Sequence, residues 1–170
     1  APEKNINARD IETSVRILQS AKKGLIAVGK LSSAKEGEAV LTLAQKLNWP
    51  IFPDITSGLR LGCVHKNVIF YFDQILLQKN LAKPDCVLHL GGRMTSKRFY
   101  DYVESASPKN YITVLNHPLR NDPLHQVTLR IQARISIFCN QAGKNIPRKR
   151  ERTLLNLFQN EKYRLFCGDY

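Results

Sequence analysis

Short apolar runs recur along this chain, and segments of helical period separate them. The clearest lie at residues 25–29 (LIAVG), 86–92 (CVLHLGG) and 111–116 (YITVLN). Two weaker runs are 49–54 (WPIFPD), broken by prolines, and 126–132 (QVTLRIQ). Strands that are apolar almost throughout, rather than at alternate positions, are buried on both faces. That pattern belongs to a parallel sheet covered by helices. Residues 10–22 carry Ile11, Val15 and Leu18 at helical spacing, and Gly24 ends that helix. Ser32 or Ser33 caps a second helix, with Glu36 placed to complete a capping box. That helix runs to about residue 47, with Val40, Leu43, Ala44 and Leu47 facing inward. Residues 67–78 and 96–104 read as further helices, and 131–140 begins a last one. The expected fold is α/β, an open parallel sheet of five or six strands with helices on both faces and right-handed crossovers. Residues 25–28, 87–90 and 112–115 form its centre.

A chain of 170 residues can enclose one substantial core. It holds no run of about 18 apolar residues, so no membrane span is expected. The N-terminal stretch APEKNINARD lacks the apolar core of a signal peptide and begins without Met. This predicts a processed or excised piece. The net charge of +12 is dispersed: residues 144–164 hold seven Lys or Arg and two Glu, leaving a net +5 there. A spread excess suits anionic substrates and solubility as well as it suits nucleic acid. No zinc-finger or RNA-recognition signature accompanies it, so no nucleic-acid partner is expected. Cys63, Cys86, Cys139 and Cys167 form no CxxC pair, which argues against a structural zinc site and for a reducing compartment. Cys86 reads as a small core residue. Residues 1–143 are read as one domain and 144–170 as a basic linker or tail. Leu154, Leu155, Leu157 and Phe158 in that tail are spaced for an amphipathic helix.

Ligands of such sheets gather at the carboxyl ends of the strands. The candidate loops are therefore 29–33, 91–98 and 116–125. GGRMTSKR, residues 91–98, leaves a strand and opens a helix, where backbone N–H groups and the helix dipole favour an anion. It is neither a P-loop nor a GxGxxG fingerprint. Gly91 and Gly92 allow a sharp turn, Thr95 or Ser96 caps the helix, and Phe99 and Val103 lie on its buried side. Lys97 and Arg98 either hold a carboxylate or form a solvated helix face. GLIAVGKLSS has the same layout, with Lys30 exposed beside a capped helix start. In NHPLRNDPLHQ, His117, Asp122 and His125 form either an acid–base or metal set, or a rigid loop in which Asp122 makes an Asx turn ahead of Pro123. The lack of a further nearby carboxylate or cysteine favours the rigid loop. There is no nucleophile elbow, and no Gly-Asp-Gly followed by an Asn-rich segment. No catalytic, cofactor-binding or metal-binding residue is therefore expected.

These segments together resemble the central domain of the MenD family, the 2-succinyl-5-enolpyruvyl-6-hydroxy-3-cyclohexene-1-carboxylate synthases. Plants and some algae carry a similar module within the multifunctional PHYLLO proteins. The likeness covers about residues 24–138. It rests on the glycine turn with Ser, the Trp-Pro before the second strand, the Gly-x-x-x-Thr-x-Lys-Arg turn and the Asp-Pro-x-His loop. The resemblance implies a sirtuin-like topology of the NAD/FAD-binding kind that binds no nucleotide. It implies flanking pyrimidine- and diphosphate-binding domains that hold thiamine diphosphate and Mg2+, and a homo-oligomer when full length. The implied reaction decarboxylates 2-oxoglutarate and adds the succinyl carbanion to isochorismate in menaquinone or phylloquinone biosynthesis. The fragment alone would be inactive. The resemblance puts Arg98, supported by Lys97, against substrate. A guanidinium fork grips a carboxylate on two bonds, and both substrates are dicarboxylates. The implied compartment is the chloroplast in a plant or alga and the cytoplasm in a bacterium. Two alternatives are a stand-alone sirtuin-like domain binding a nucleotide or other anion, and a basic RNA-binding module. The missing dinucleotide signature and aromatic platforms weigh against them.

Overall fold

The computed structural model describes residues 6–60, 62, 65–118, 121–149 and 154–160. The elements run α1 (Ala8–Ser20), β1 (Gly24–Val28), α2 (Ala34–Leu47), β2 (Ile51–Pro53), α3 (Phe72–Ile75), β3 (Cys86–Leu90), α4 (Lys97–Ala106), β4 (Asn110–Val114), β5 (Leu129–Ile131) and α5 (Ile135–Asn145). Residues 154–160 are also helical. Among the described residues five strands pair in parallel, in the order β2-β1-β3-β4-β5. The three strands expected at the centre are there, with the short, proline-containing β2 and the three-residue β5 at the edges.

The pleat divides each strand between two apolar layers. Ile26, Val28, Cys86, Leu88, Leu90, Ile112 and Val114 face α1, α2 and α5. Leu25, Ala27, Phe52, Val87 and Tyr111 face α3, α4 and the 154–160 helix. Burial on both faces explains why β1 reads as an unbroken apolar run and β3 as one interrupted only by His89.

Several boundaries differ from the sequence reading. Residues 67–78 do not form one helix. The buried Asn67 amide donates to the carbonyls of Ala44 (3.0 Å) and Trp49 (2.8 Å), and Val68 bridges Ile51. These bonds hold the start of the segment against the sheet edge, and the helix shrinks to Phe72–Ile75. The fifth strand begins late because the Asp122 carboxylate accepts from the N–H groups of Gln126 (2.9 Å) and Val127 (3.2 Å). Ile131 stays in that strand, so α5 starts at Ile135 and not at 131. Helix α5 also runs across residue 143, where composition suggests a boundary. Beyond it Ile146 is buried, and Lys149 donates to the Ala21 carbonyl (2.8 Å) with its ammonium over the Trp49 ring. Leu154 and Phe158 join the second layer, Phe158 meeting Phe52 edge-on at 5.2 Å. Leu155 is buried too, whereas Leu157 faces outward. Cys86 and Cys139 are free thiols in the core, and burial pushes the Cys86 thiol up to about 12. Cys63 and Cys167 lie outside the described residues.

Candidate functional site

The chain passes from β1 to one side of the sheet and then crosses to β3, so the strand order reverses between β1 and β3. Ligands of doubly wound sheets enter at such a reversal. Here the two loops that leave β1 and β3 close onto each other. Gly29 N–H donates to Leu90 O (2.9 Å) and Gly92 N–H to Lys30 O (3.2 Å). A Cβ on Gly29 would lie 1.9 Å from the Gly92 oxygen, and Gly91 takes φ +90 with the Lys30 carbonyl against it. The glycines thus permit backbone-on-backbone contact, which a side chain at either position would prevent. Ser33 is the N-cap of α2, accepting from Glu36 N–H at 3.4 Å. Glu36 in turn accepts from Ser32 N–H at 2.7 Å, a shifted capping box. Lys30 is exposed beside it.

Beneath the Gly91–Gly92 turn lies His89, the polar residue of β3, buried to 3% exposure. Its Nε2 is 2.8 Å from the Gly92 carbonyl and its Nδ1 2.9 Å from the Tyr111 hydroxyl. A carbonyl can only accept, so Nε2 carries the proton and Nδ1 accepts from Tyr111. Burial holds this imidazole below its ordinary value, against the opposing pull of the Gly92 bond and the Asp54 charge. His89 is therefore a structural neutral histidine that fastens the turn to β4.

The rest of GGRMTSKR is fixed by two carboxylates from other elements. Asp54, directly after β2 and 1% exposed, accepts at Oδ1 from both Thr95 N–H (2.8 Å) and Thr95 Oγ1–H (2.7 Å). Its Oδ2 accepts from Thr56 N–H (3.1 Å) and Thr56 Oγ1–H (2.6 Å). Burial pushes the Asp54 carboxyl up, but these four bonds outweigh it and leave it below its usual value. Thr95 is thus spent on Asp54, and Ser96 is the N-cap of α4, accepting from Phe99 N–H at 3.2 Å. Phe99 and Val103 are buried beneath that helix, on the face the sequence assigned to them. Arg98 donates through Nη1 to Asp73 Oδ2, and Ser96 donates to Asp73 Oδ1.

Lys97 and Arg98 do not share a cleft. Arg98 borders one lined by Leu77, Lys83, Asp101 and Tyr102, whereas Lys97 borders another with Arg93, Met94, Tyr100 and Pro123. The Arg93 guanidinium stands 5.8 Å over the Tyr100 ring. Lys30, Arg93, Asn116 and His117 line a third cleft above β1, β3 and β4. In the 116–125 loop Asp122 serves backbone, but it accepts from N–H groups four and five residues on, where the expected Asx turn bonds two residues on, and His125 sits at φ +53 with its N–H on Asp122 O. Among the described residues no group of three or more His, Cys, Asp or Glu is arranged to hold a metal ion.

Asp54, Asp73 and His89 were not singled out in the sequence. Asp54 and His89 left a trace, an acid closing a strand and an imidazole interrupting an apolar one. Asp73 left none, since its partners are 23 and 25 residues away.

A family model described as the middle domain of thiamine pyrophosphate matches residues 6–163. A 2-succinyl-5-enolpyruvyl-6-hydroxy-3-cyclohexene-1-carboxylate synthase of Rubrobacter xylanophilus is 38% identical over 144 residues, 81% of this chain and 25% of that protein. The chloroplastic protein PHYLLO of Arabidopsis thaliana is 34% identical over 146 residues, 79% of this chain and 8% of that protein. This chain therefore spans a quarter or less of these two relatives. A crystal structure provisionally described as a thiamin diphosphate-dependent enzyme of Mycobacterium smegmatis superposes with a TM-score of 0.59 at 14% identity. That superposition covers 86% of this chain and 29% of the other, and is a likeness of fold.

Proposed function

The chain belongs to the family of middle domains of thiamine pyrophosphate enzymes, and from that premise we propose that it is the central domain of a 2-succinyl-5-enolpyruvyl-6-hydroxy-3-cyclohexene-1-carboxylate synthase. Such an enzyme joins decarboxylated 2-oxoglutarate to isochorismate on the way to menaquinone or phylloquinone. The observation that carries this reading is the 38% identity to the Rubrobacter synthase over four fifths of the chain. Two observations support placing the cofactor elsewhere: the glycine turns are filled by each other's backbone, and among the described residues no group of three or more His, Cys, Asp or Glu is arranged to hold a metal ion. Thiamine diphosphate and magnesium accordingly fall to flanking pyrimidine- and diphosphate-binding domains, in an enzyme we expect to be a homo-oligomer. Its compartment would be the chloroplast in a plant or alga and the cytoplasm in a bacterium.

In this reading the domain's own contribution is charge at the carboxyl edge. Arg98, half exposed at the start of α4, meets a substrate carboxylate, and Lys97 adds a supporting charge. In the full-length enzyme, Arg98→Ala should lower kcat/KM about ten- to a hundredfold, the loss of one charge-assisted pair of about 1.5–3 kcal/mol. Arg98→Lys should recover only part, because an ammonium cannot reproduce the fork. Steady-state kinetics for both substrates decide it, and unchanged constants in both variants would reduce these cations to a solvated helix face.

A further inference from the structure

The bond network around the β3–α4 turn ends on a carboxylate, Asp73, to which the proposed function gives no role of its own. Asp73 belongs to α3, whose backbone is anchored in the core. Its neighbour Phe72 stacks on Phe52 at 4.9 Å, and Ile75 is fully buried. From that base the two Asp73 oxygens divide their work between the cap of α4 and its second residue. The Ser96 hydroxyl has one proton, which goes to Asp73, and its lone pairs face Phe99 N–H. Asp73 therefore sets the orientation of the helix cap and the direction of the Arg98 guanidinium together. The ion pair stands partly open, with side chains 47% and 35% exposed, so it contributes little to folding. Its geometric effect is larger. An unheld arginine loses much rotamer freedom when it binds, and a held one has lost it already.

We propose that Asp73 is a positioning residue, holding Arg98 in a preformed rotamer that presents the guanidinium to a substrate carboxylate. This rests on the reading of Arg98 as a substrate contact. Asp73→Asn keeps an acceptor for Ser96 but turns an uncharged amide toward Arg98. Asp73→Glu keeps the charge on a longer arm. The test is steady-state kinetics in the full-length enzyme, alongside Arg98→Ala, the double variant, and Glu104→Gln as an exposed acid removed from the same helix. We expect Asp73→Asn to raise KM for one dicarboxylate about five- to twentyfold, with kcat within about twofold and the unfolding midpoint unmoved. Asp73→Glu should recover part of the loss, and Glu104→Gln should behave as wild type. The double variant should be no worse than Arg98→Ala alone, because both remove one arrangement. Wild-type KM in Asp73→Asn beside a raised KM in Arg98→Ala overturns the positioning role and leaves the Arg98 reading standing. Additive losses in the double variant overturn it too. Wild-type behaviour of Arg98→Ala overturns both.

Discussion

His89 shows how a single side chain sets a pH response. It is neutral in the fold because burial opposes its charge, and both of its nitrogens are already committed, one as donor and one as acceptor. The unfolded chain binds a proton at its ordinary value of 6.5, whereas the folded chain does so only at lower pH. The stability that this histidine contributes is therefore present above about 6.5 and is lost as pH falls below it. Urea titrations between pH 7.5 and 5 should show a midpoint that declines through this window, and the decline should flatten in His89→Gln. Equal slopes in both proteins would mean that another group titrates. Gly29 sets a harder limit. An added methyl there meets the Gly92 oxygen at 1.9 Å, and backbone has nowhere to yield. Gly29→Ala should destabilise by about 3 kcal/mol or more, read from the urea midpoint.

The elements are tied by carboxylates at their ends as much as by apolar faces. Asp54 joins the end of β2 to the turn that opens α4, so its removal strands four donors. Asp54→Ala should cost about 3 kcal/mol in equilibrium unfolding and should also loosen the α4 N-terminus, seen as faster amide exchange at Thr95. A wild-type exchange rate there would show that the sheet edge holds the turn without it. Most of the regular elements were legible because period and caps are local. The caps fall on Ser33 and Ser96, each one of the two neighbouring residues the sequence offered, and the inward faces of α2 and α4 sit where the sequence placed them. The helix expected over 67–78 was not legible, because Asn67 reaches carbonyls 18 and 23 residues away and those bonds override the local period. The 154–160 helix was legible from the spacing of its leucines and Phe158, but its docking was not, since Phe158 packs against Phe52 and Tyr102 far away in sequence. Phe158→Ala should lower stability by about 3–5 kcal/mol, the figure for emptying a core aromatic site, and a wild-type midpoint would place that helix outside the cooperative unit.

At the scale of the whole molecule, two apolar layers and five paired strands should let the isolated chain unfold as one cooperative unit. It should neither bind thiamine diphosphate with magnesium nor turn over 2-oxoglutarate. Calorimetry with cofactor and metal checks this, and micromolar binding would reverse the assignment of the cofactor to other domains. The sequence by itself determined the fold class, the central strands and the edge at which Lys97 and Arg98 emerge, because strand burial, helical period and capping are written within ten or so residues. Only the tertiary structure decided what surrounds those cations. It brought Asp73 to Arg98 and Asp54 to Thr95, and it pressed the two glycine turns together where a ligand crevice would open. Each of those contacts joins residues more than 20 positions apart, and no local pattern encodes the partner. Their meeting follows from the crossing of the chain over its own sheet, a property of packing that hydrogen bonds then make specific.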